Sequence, residues 1–261
     1  MAKPTNIVVT GDDFGKSEDV NNAVEFCHKN GILTSTSLVA TGDAFDGAVI
    51  ISKRNPTLGV GVHLAIEEFD SLSGLPSTII DPLTNKFYSY ADALKSVATF
   101  KYKKPDLVKE YSLQIERVLD CGIPITHLDH HHHLHLYWPV LSAMIRVAKH
   151  YNIRYIRSQV MLVSKKQTLH KKIYRAFHQR YLKGRIGTSD GYFDLVHSEF
   201  ETMYSRLVRL VTSNYRVAEI VAHPCMEKEY EKSFLTDEKV IHLVKSCNLV
   251  SFGNIRTLCK T

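Results

Sequence analysis

Short β-branched runs alternate with amphipathic stretches along nearly the whole chain, and this alternation narrows the fold more than any other feature of the sequence. "NIVVTG" (6–11) reads as a strand and "SEDVNNAVEFCHKN" as the helix after it, with Ser17 as its N-cap and Gly31 just past its end. "ILTSTSLVA" reads as a second strand, Asp43 is placed to cap "AFDGAVIISKRN", and Pro56 stops that helix. "LGVGVHL" (58–64) is a third strand, and "IPITHLDH" is a fourth, following a helix from Pro105 to Cys121. "YWPVLSAMIRVAKH" is the next helix and "IRYIRS" (153–158) the fifth strand. "AEIVAHP" (218–224) and "LVSFG" (249–253) supply two more, with a weaker strand near "TSDGYF" (188–193). Seven or eight strands alternating with helices predict an α/β fold with a parallel sheet. A single closed or nearly closed TIM-like barrel needs about 250 residues. The chain has 261. A doubly wound open sheet is the rival, but no GxGxxG follows the first strand.

Composition bounds the function class. A hydrophobic content of 44% is enough for a sizeable core. No apolar run approaches membrane-spanning length, and Met1-Ala2-Lys3-Pro4-Thr5 passes into the first strand without a signal-peptide core, so a cytoplasmic protein away from membranes is expected. The five cysteines are odd in number and nowhere form CxxC, which points to reduced, mostly buried residues rather than disulfides or a cysteine zinc site. Much of the +6 formal charge sits between Lys165 and Arg185, where Tyr174, Phe177 and Tyr181 recur opposite basic positions. That is the pattern of a solvated amphipathic helix, and with no binding motif beside it nucleic acid is not an expected partner. No repeat or linker divides residues 1–261, which read as one domain with an irregular insertion at about 65–104. Insertions of that length are usually functional, and this one is expected to cover substrate.

In parallel α/β folds the reacting groups gather at the carboxyl ends of the strands. Here those ends carry Asp12 and Asp13, then His63, then the tract "THLDHHHHLHLYW" (126–138), then His223. Carboxylate and imidazole converging from separate strands suit an open divalent-metal site. Strand alternation would put His127, Asp129, His131, His133 and His135 on one face and His130 and His132 on the other. One of these histidines is expected to hold the ion, and the rest to support it, contact substrate or carry protons. Adjacent strand residues point apart, so Asp12 and Asp13 can share a site only if the strand has ended at Gly11. One aspartate would then hold the metal while its neighbour accepts a proton from water. Taken singly, each feature has a plainer reading: "DDFG" as a solvated turn, and His63 as a hydrogen-bonded core histidine.

Together, "VTGDDFGKSEDVNNAV", "GILTSTSLVA", "LGVGVHL", "THLDHHHHLH" and "AEIVAHP" resemble the YdjC-like carbohydrate deacetylases, which include chitooligosaccharide deacetylase, over nearly the whole chain. The resemblance implies a distorted (β/α) barrel that removes acetyl groups from N-acetylated sugars with a divalent ion. It implies Asp13, His63 and His131 as metal ligands, Asp12 as general base and His223 as general acid. Magnesium is the ion it implies, although two nitrogens and an oxygen also suit zinc. It is also compatible with a homodimer. His130 departs from the small residue usual after the aspartate of that tract. Arg157, at the end of the fifth strand, is expected to contact substrate or orient Asp12, or to be an ordinary salt-bridged arginine.

Serine and cysteine nucleophiles are disfavoured, because no GxSxG occurs and no cysteine sits in an activating motif. Two rivals stay open: a metal-dependent phosphoesterase, since the same ligands polarise phosphoryl oxygens, and a non-catalytic metal- or sugar-binding protein.

Overall fold

The computed structural model describes residues 6–158, 169–182, 184–195, 199–227 and 229–255. In chain order the elements begin with β1 (Asn6–Phe14), α1 (Glu18–Asn30), β2 (Ser35–Leu38), α2 (Phe45–Arg54) and β3 (Gly59–Leu64). The excursion after β3 holds a small hairpin, β4 (Ile80–Asp81) and β5 (Lys86–Phe87), and the helix α3 (Tyr90–Ala98). Next come α4 (Lys104–Asp120), β6 (Ile125–His130), a 3-10 turn (His131–Leu136), α5 (Trp138–His150) and α6 (Leu169–Leu182). The chain continues through β7 (Gly191–Asp194), α7 (Phe200–Val211), β8 (Val217–Ala222), α8 (Glu229–Thr236), α9 (Glu238–Val244) and β9 (Asn248–Leu249).

The main sheet has seven strands in the order β6-β3-β2-β1-β8-β7, with β9 on the amino end of β1, and every pairing in it is parallel. The barrel expected from the alternation is therefore present, but one seam is thin. Between β6 and β7 the expected fifth strand shrinks to single parallel bridges, Leu128 with Ile156 and Tyr155 with Gly187. Four backbone bonds hold it: Leu128 N–H to Tyr155 O, Arg157 N–H to Leu128 O, Ile156 N–H to Gly187 O and Gly187 N–H to Arg154 O, at 2.8–3.0 Å.

Local sequence explains most elements. The Ser17 hydroxyl caps α1 by accepting from Val20 N–H, and the helix buries Ala23, Val24 and Cys27 along one stripe. Asp43 does not cap α2: Ala44 occupies that position, with no side-chain cap bond. Of the described cysteines only Cys27 is buried, while Cys121, Cys225 and Cys247 are half-buried. Residues 165–168 of the basic stretch, and Cys259, lie outside the described residues.

Period-two alternation gives the barrel interior a gradient. At the amino end Val8, Tyr155, Val217 and Phe252 pack together. One layer up, Ser37, Gly61, His127 and Glu219 face inward, and above them lie Asp12, His63 and Asp129. Gly61 is what makes room for the His127 ring: a Cβ there would stand 2.5 Å from Nδ1 and 2.6 Å from Nε2. Because β3 and β6 are paired strands with little freedom to part, Gly61→Ala should lower the unfolding free energy by about 1–3 kcal/mol. Urea unfolding with an unchanged midpoint would refute this.

Candidate active site

The carboxyl ends of the strands open into a cleft of about 1510 Å³, whose lining includes Asp12, Asp13, His63, His131 and His223. β1 does not end at Gly11 as the sequence suggests. It runs on to Phe14 through an irregularity in its pairing with β2, where Asp13 takes a positive φ of 64°. Aspartate tolerates this region better than most residues, and a bulge re-aims a side chain that alternation would have sent away. Both aspartates thereby reach the same cleft.

β6 likewise stops at His130, before the alternation expected of the histidine tract is complete. Two consecutive residues with positive φ, His132 at 48° and His133 at 54°, splay the tract. His131 turns to Asp13 and His63, His132 turns toward Glu67 and Glu68, and His133 turns to Asp194. His127 and His130 are buried and neutral, with burial pushing each down to about 4. The His130 Nδ1–H is placed to donate to the His131 carbonyl at 2.7 Å, which leaves Nε2 to accept from the Tyr111 hydroxyl at 2.9 Å. His130 is thus committed to packing on α4. His135 is buried and held well below its ordinary value, first by burial.

Three side chains from three segments converge. Asp13 Oδ1 lies 3.5 Å from His63 Nε2 and 3.1 Å from His131 Nδ1, and the two ring nitrogens are 3.3 Å apart. Donors about 2.0–2.1 Å from one ion, at angles between square and tetrahedral, stand about 2.9–3.4 Å from each other, so this spacing fits one face of a metal shell. The other ring nitrogens are already engaged: His63 Nδ1 with Asp129 Oδ1 at 2.7 Å and His131 Nε2 with Glu68 Oε2 at 3.0 Å. Carboxylates behind both rings are placed as the second partners of ligating histidines are, so that each ring, once its inner proton is displaced by an ion, would turn a lone pair inward. Asp13 Oδ1 is buried against His63 Nε2 and His131 Nδ1. Charge agrees with spacing. Burial alone would push His63 down, but Asp129, Asp12 and Asp13 outweigh it and hold the ring at about 9. Burial would raise the Asp13 carboxyl, yet His131, His63 and Lys16 bring it well below the usual carboxylate range. The cluster calls for positive charge, and its donor set suits a divalent ion.

Asp12 lies at the floor of the cleft, with both oxygens accepting from Arg157 at 2.7 Å. His223 Nε2 is 3.9 Å from Asp12 Oδ2, and its Nδ1 is 3.9 Å from Glu231 Oε2. Arg157 corrects an expectation. It is fully buried, and it bonds Asp12, Asp129 and Glu219, so it has no surface to offer substrate. Its two Nη groups instead hold both oxygens of Asp12.

A sequence model of the family described as "YdjC-like protein" matches residues 6–248. The chain belongs to the YdjC-like family. Among its YdjC-like relatives, a protein named carbohydrate deacetylase from Brevibacillus brevis is 27% identical over 244 residues, 90% of this chain and 90% of that protein. One named chitooligosaccharide deacetylase from Salmonella paratyphi B is 30% identical over 143 residues, 54% of this chain and 55% of that protein. In fold, it is similar to the crystal structure of a protein from Enterococcus faecalis V583, provisionally named a cellobiose-phosphate cleavage protein. The TM-score is 0.80 at 22% identity, covering 98% of this chain and 100% of that one.

Reasoning from sequence missed two residues beside this YdjC-like site. Ser37 donates to Asp129 Oδ2 at 2.6 Å and sits 3.1 Å from His127 Nε2, which steadies the acceptor behind His63. Its serine-threonine strand gave no hint. Glu219 did leave a signal, as a single acid inside the otherwise apolar run of β8, where a charge is rarely buried unpaired. Burial pushes its carboxyl up to about 7, against the opposing pull of Arg157. The folded state then holds a proton that the unfolded chain has lost, so this contribution to stability is complete below about pH 4.5 and disappears as pH rises through about 7. The stability of Glu219→Gln relative to the native chain should therefore climb between those limits and level off above them. Denaturant titrations at intervals of pH would show it, and a flat difference would refute the raised carboxyl.

Proposed function

We propose that this chain is a metal-dependent hydrolase that removes acetyl groups from N-acetylated sugars, with N-acetylglucosamine oligosaccharides such as chitobiose as substrates. The reading is carried by one observation: donors of Asp13, His63 and His131 face one point beside Asp12. Membership of the YdjC-like family, with relatives named carbohydrate deacetylase, supports the substrate class.

A divalent cation held by Asp13, His63 and His131 would supply Lewis acidity to the acetamido carbonyl and the attacking water. Asp12 takes a proton from that water as its oxygen adds to the carbonyl carbon. Each Asp12 oxygen accepts from Arg157 and keeps a second lone pair for this task. His223, across from Asp12, gives a proton to the departing nitrogen as the C–N bond breaks, leaving acetate and a free amine. Arg157 keeps Asp12 oriented, and Asp129 and Glu68 keep the two imidazoles turned. The excursion after β3 brings Glu68, Phe69, Lys86 and Tyr90 to the cleft wall, which supports its reading as a substrate cover.

Two nitrogens and one oxygen favour zinc, while the sequence resemblance favours magnesium. Reloading the metal-free protein with each ion separates them. The function is tested by incubating the metal-loaded protein with chitobiose and with sugar phosphates. Acetate release is the expected result. Phosphate release in its place would make the protein a phosphoesterase, and tight binding with unchanged ligand would make it a binding protein.

A further inference from the structure

The Arg157 guanidinium is the hub of the buried polar layer, and it meets three carboxylates from three strands. Its two Nη groups reach Asp12, Nη1 to Oδ2 and Nη2 to Oδ1, both at 2.7 Å. Nη2 also meets Asp129 Oδ2 at 2.6 Å. The remaining direction, Nε–H, donates to Glu219 Oε1 at 2.9 Å. All four side chains are fully buried. A guanidinium is a rigid planar fork, so fixing Nε fixes the plane in which both Nη groups lie. Without an acceptor at Nε the plane could roll about its side chain, and the paired bonds to Asp12 would no longer be held together.

We propose that Glu219 is a positioning residue for Asp12: by accepting from Arg157 Nε it sets the guanidinium plane that aims the Asp12 carboxylate into the cleft. The inference rests on Asp12 acting as the base in the reading above. Glu219 itself touches neither the cleft nor the Asp13, His63 and His131 cluster, since its partner is Arg157, and its Oε2 has no hydrogen-bond partner among the described residues. The role needs an acceptor oxygen and not a third negative charge. Asp12 and Asp129 already set two carboxylates against one guanidinium, and the raised Glu219 carboxyl is consistent with a neutral side chain. Glutamine should therefore replace it, and leucine should not.

Three proteins are compared, native, Glu219→Gln and Glu219→Leu, each with thermal unfolding and metal content measured beside chitobiose kinetics. Glu219→Leu should lower kcat by about 10- to 100-fold with KM and metal content within about twofold, a share of the effect of a general base. Glu219→Gln should stay within about threefold of native. NMR of the Arg157 guanidinium protons, assigned with Arg157→Lys, reads the same claim without any turnover. Separate, slowly exchanging Nη–H signals should persist in native and Glu219→Gln protein and average together in Glu219→Leu. If Glu219→Leu unfolds, Glu219→Gln decides: a kcat loss of tenfold or more, or averaged Nη–H signals, overturns the proposal, and native-like values uphold it. A folded Glu219→Leu protein with native kcat and separate Nη–H signals overturns it as well. Absence of acetate release from the native protein would sink the deacetylase reading, while the NMR comparison would still decide the positioning role.

Discussion

Replacing His131 with alanine is expected to strip the divalent metal and reduce acetate release by at least about a thousandfold, because Lewis-acid stabilisation of an amide's developing charge is worth several kcal/mol. The fold should survive. His131 lies in the turn after β6, and no strand pairing passes through it. What disappears is one of three donors, together with the link from the cluster to Glu68. Asp13 and His63 would then hold the ion with two donors, and with Asp129, Asp12 and Asp13 clustered near His63, a proton on that ring would compete with the metal. Elemental analysis beside circular dichroism checks this. A metal-to-protein ratio equal to native, in a folded His131→Ala protein, would remove His131 from the ligand set.

Asp12→Asn separates chemistry from metal binding. The cluster of Asp13, His63 and His131 is untouched, so metal content should stay at the native ratio, while kcat falls by about a hundred- to ten-thousandfold, the usual range for a positioned proton acceptor. The substitution has a structural side effect. An amide offers Arg157 one oxygen where the carboxylate offers two, so one Nη faces a donor. Some loss of stability is expected, and rates must be read on the folded fraction. Near-native turnover with metal bound would mean that another group takes the proton.

The fold was legible because parallel βα repetition is a local pattern, and each strand from β1 to β8 in the main sheet falls within or beside a run picked out by residue type. The fifth strand was misjudged, since "IRYIRS" has strand-like residues but only single bridges for partners, and pairing depends on neighbours distant in the chain. Asp12, Asp13, His63 and His131 were findable as polar residues at strand ends. How Asp12 and Asp13 come together was not, because a left-handed φ at Asp13 leaves no compositional trace. The histidine tract failed the alternation rule at the point where His132 and His133 turn left-handed. Arg157 resisted sequence reasoning for a related reason: exposed and buried arginines look alike until their carboxylates, here on β1, β6 and β8, are brought together by the fold.

The thin seam between β6 and β7 carries a further meaning. Arg157 completes it with its own backbone N–H, donated to Leu128, and with its side chain ties together β1, β6 and β8. The last stitch of the ring and the anchor of the proposed proton acceptor are thus one residue. Were the ring unzipped there, Asp12, Asp129 and Glu219 would lose their common guanidinium partner along with the Leu128 backbone bond.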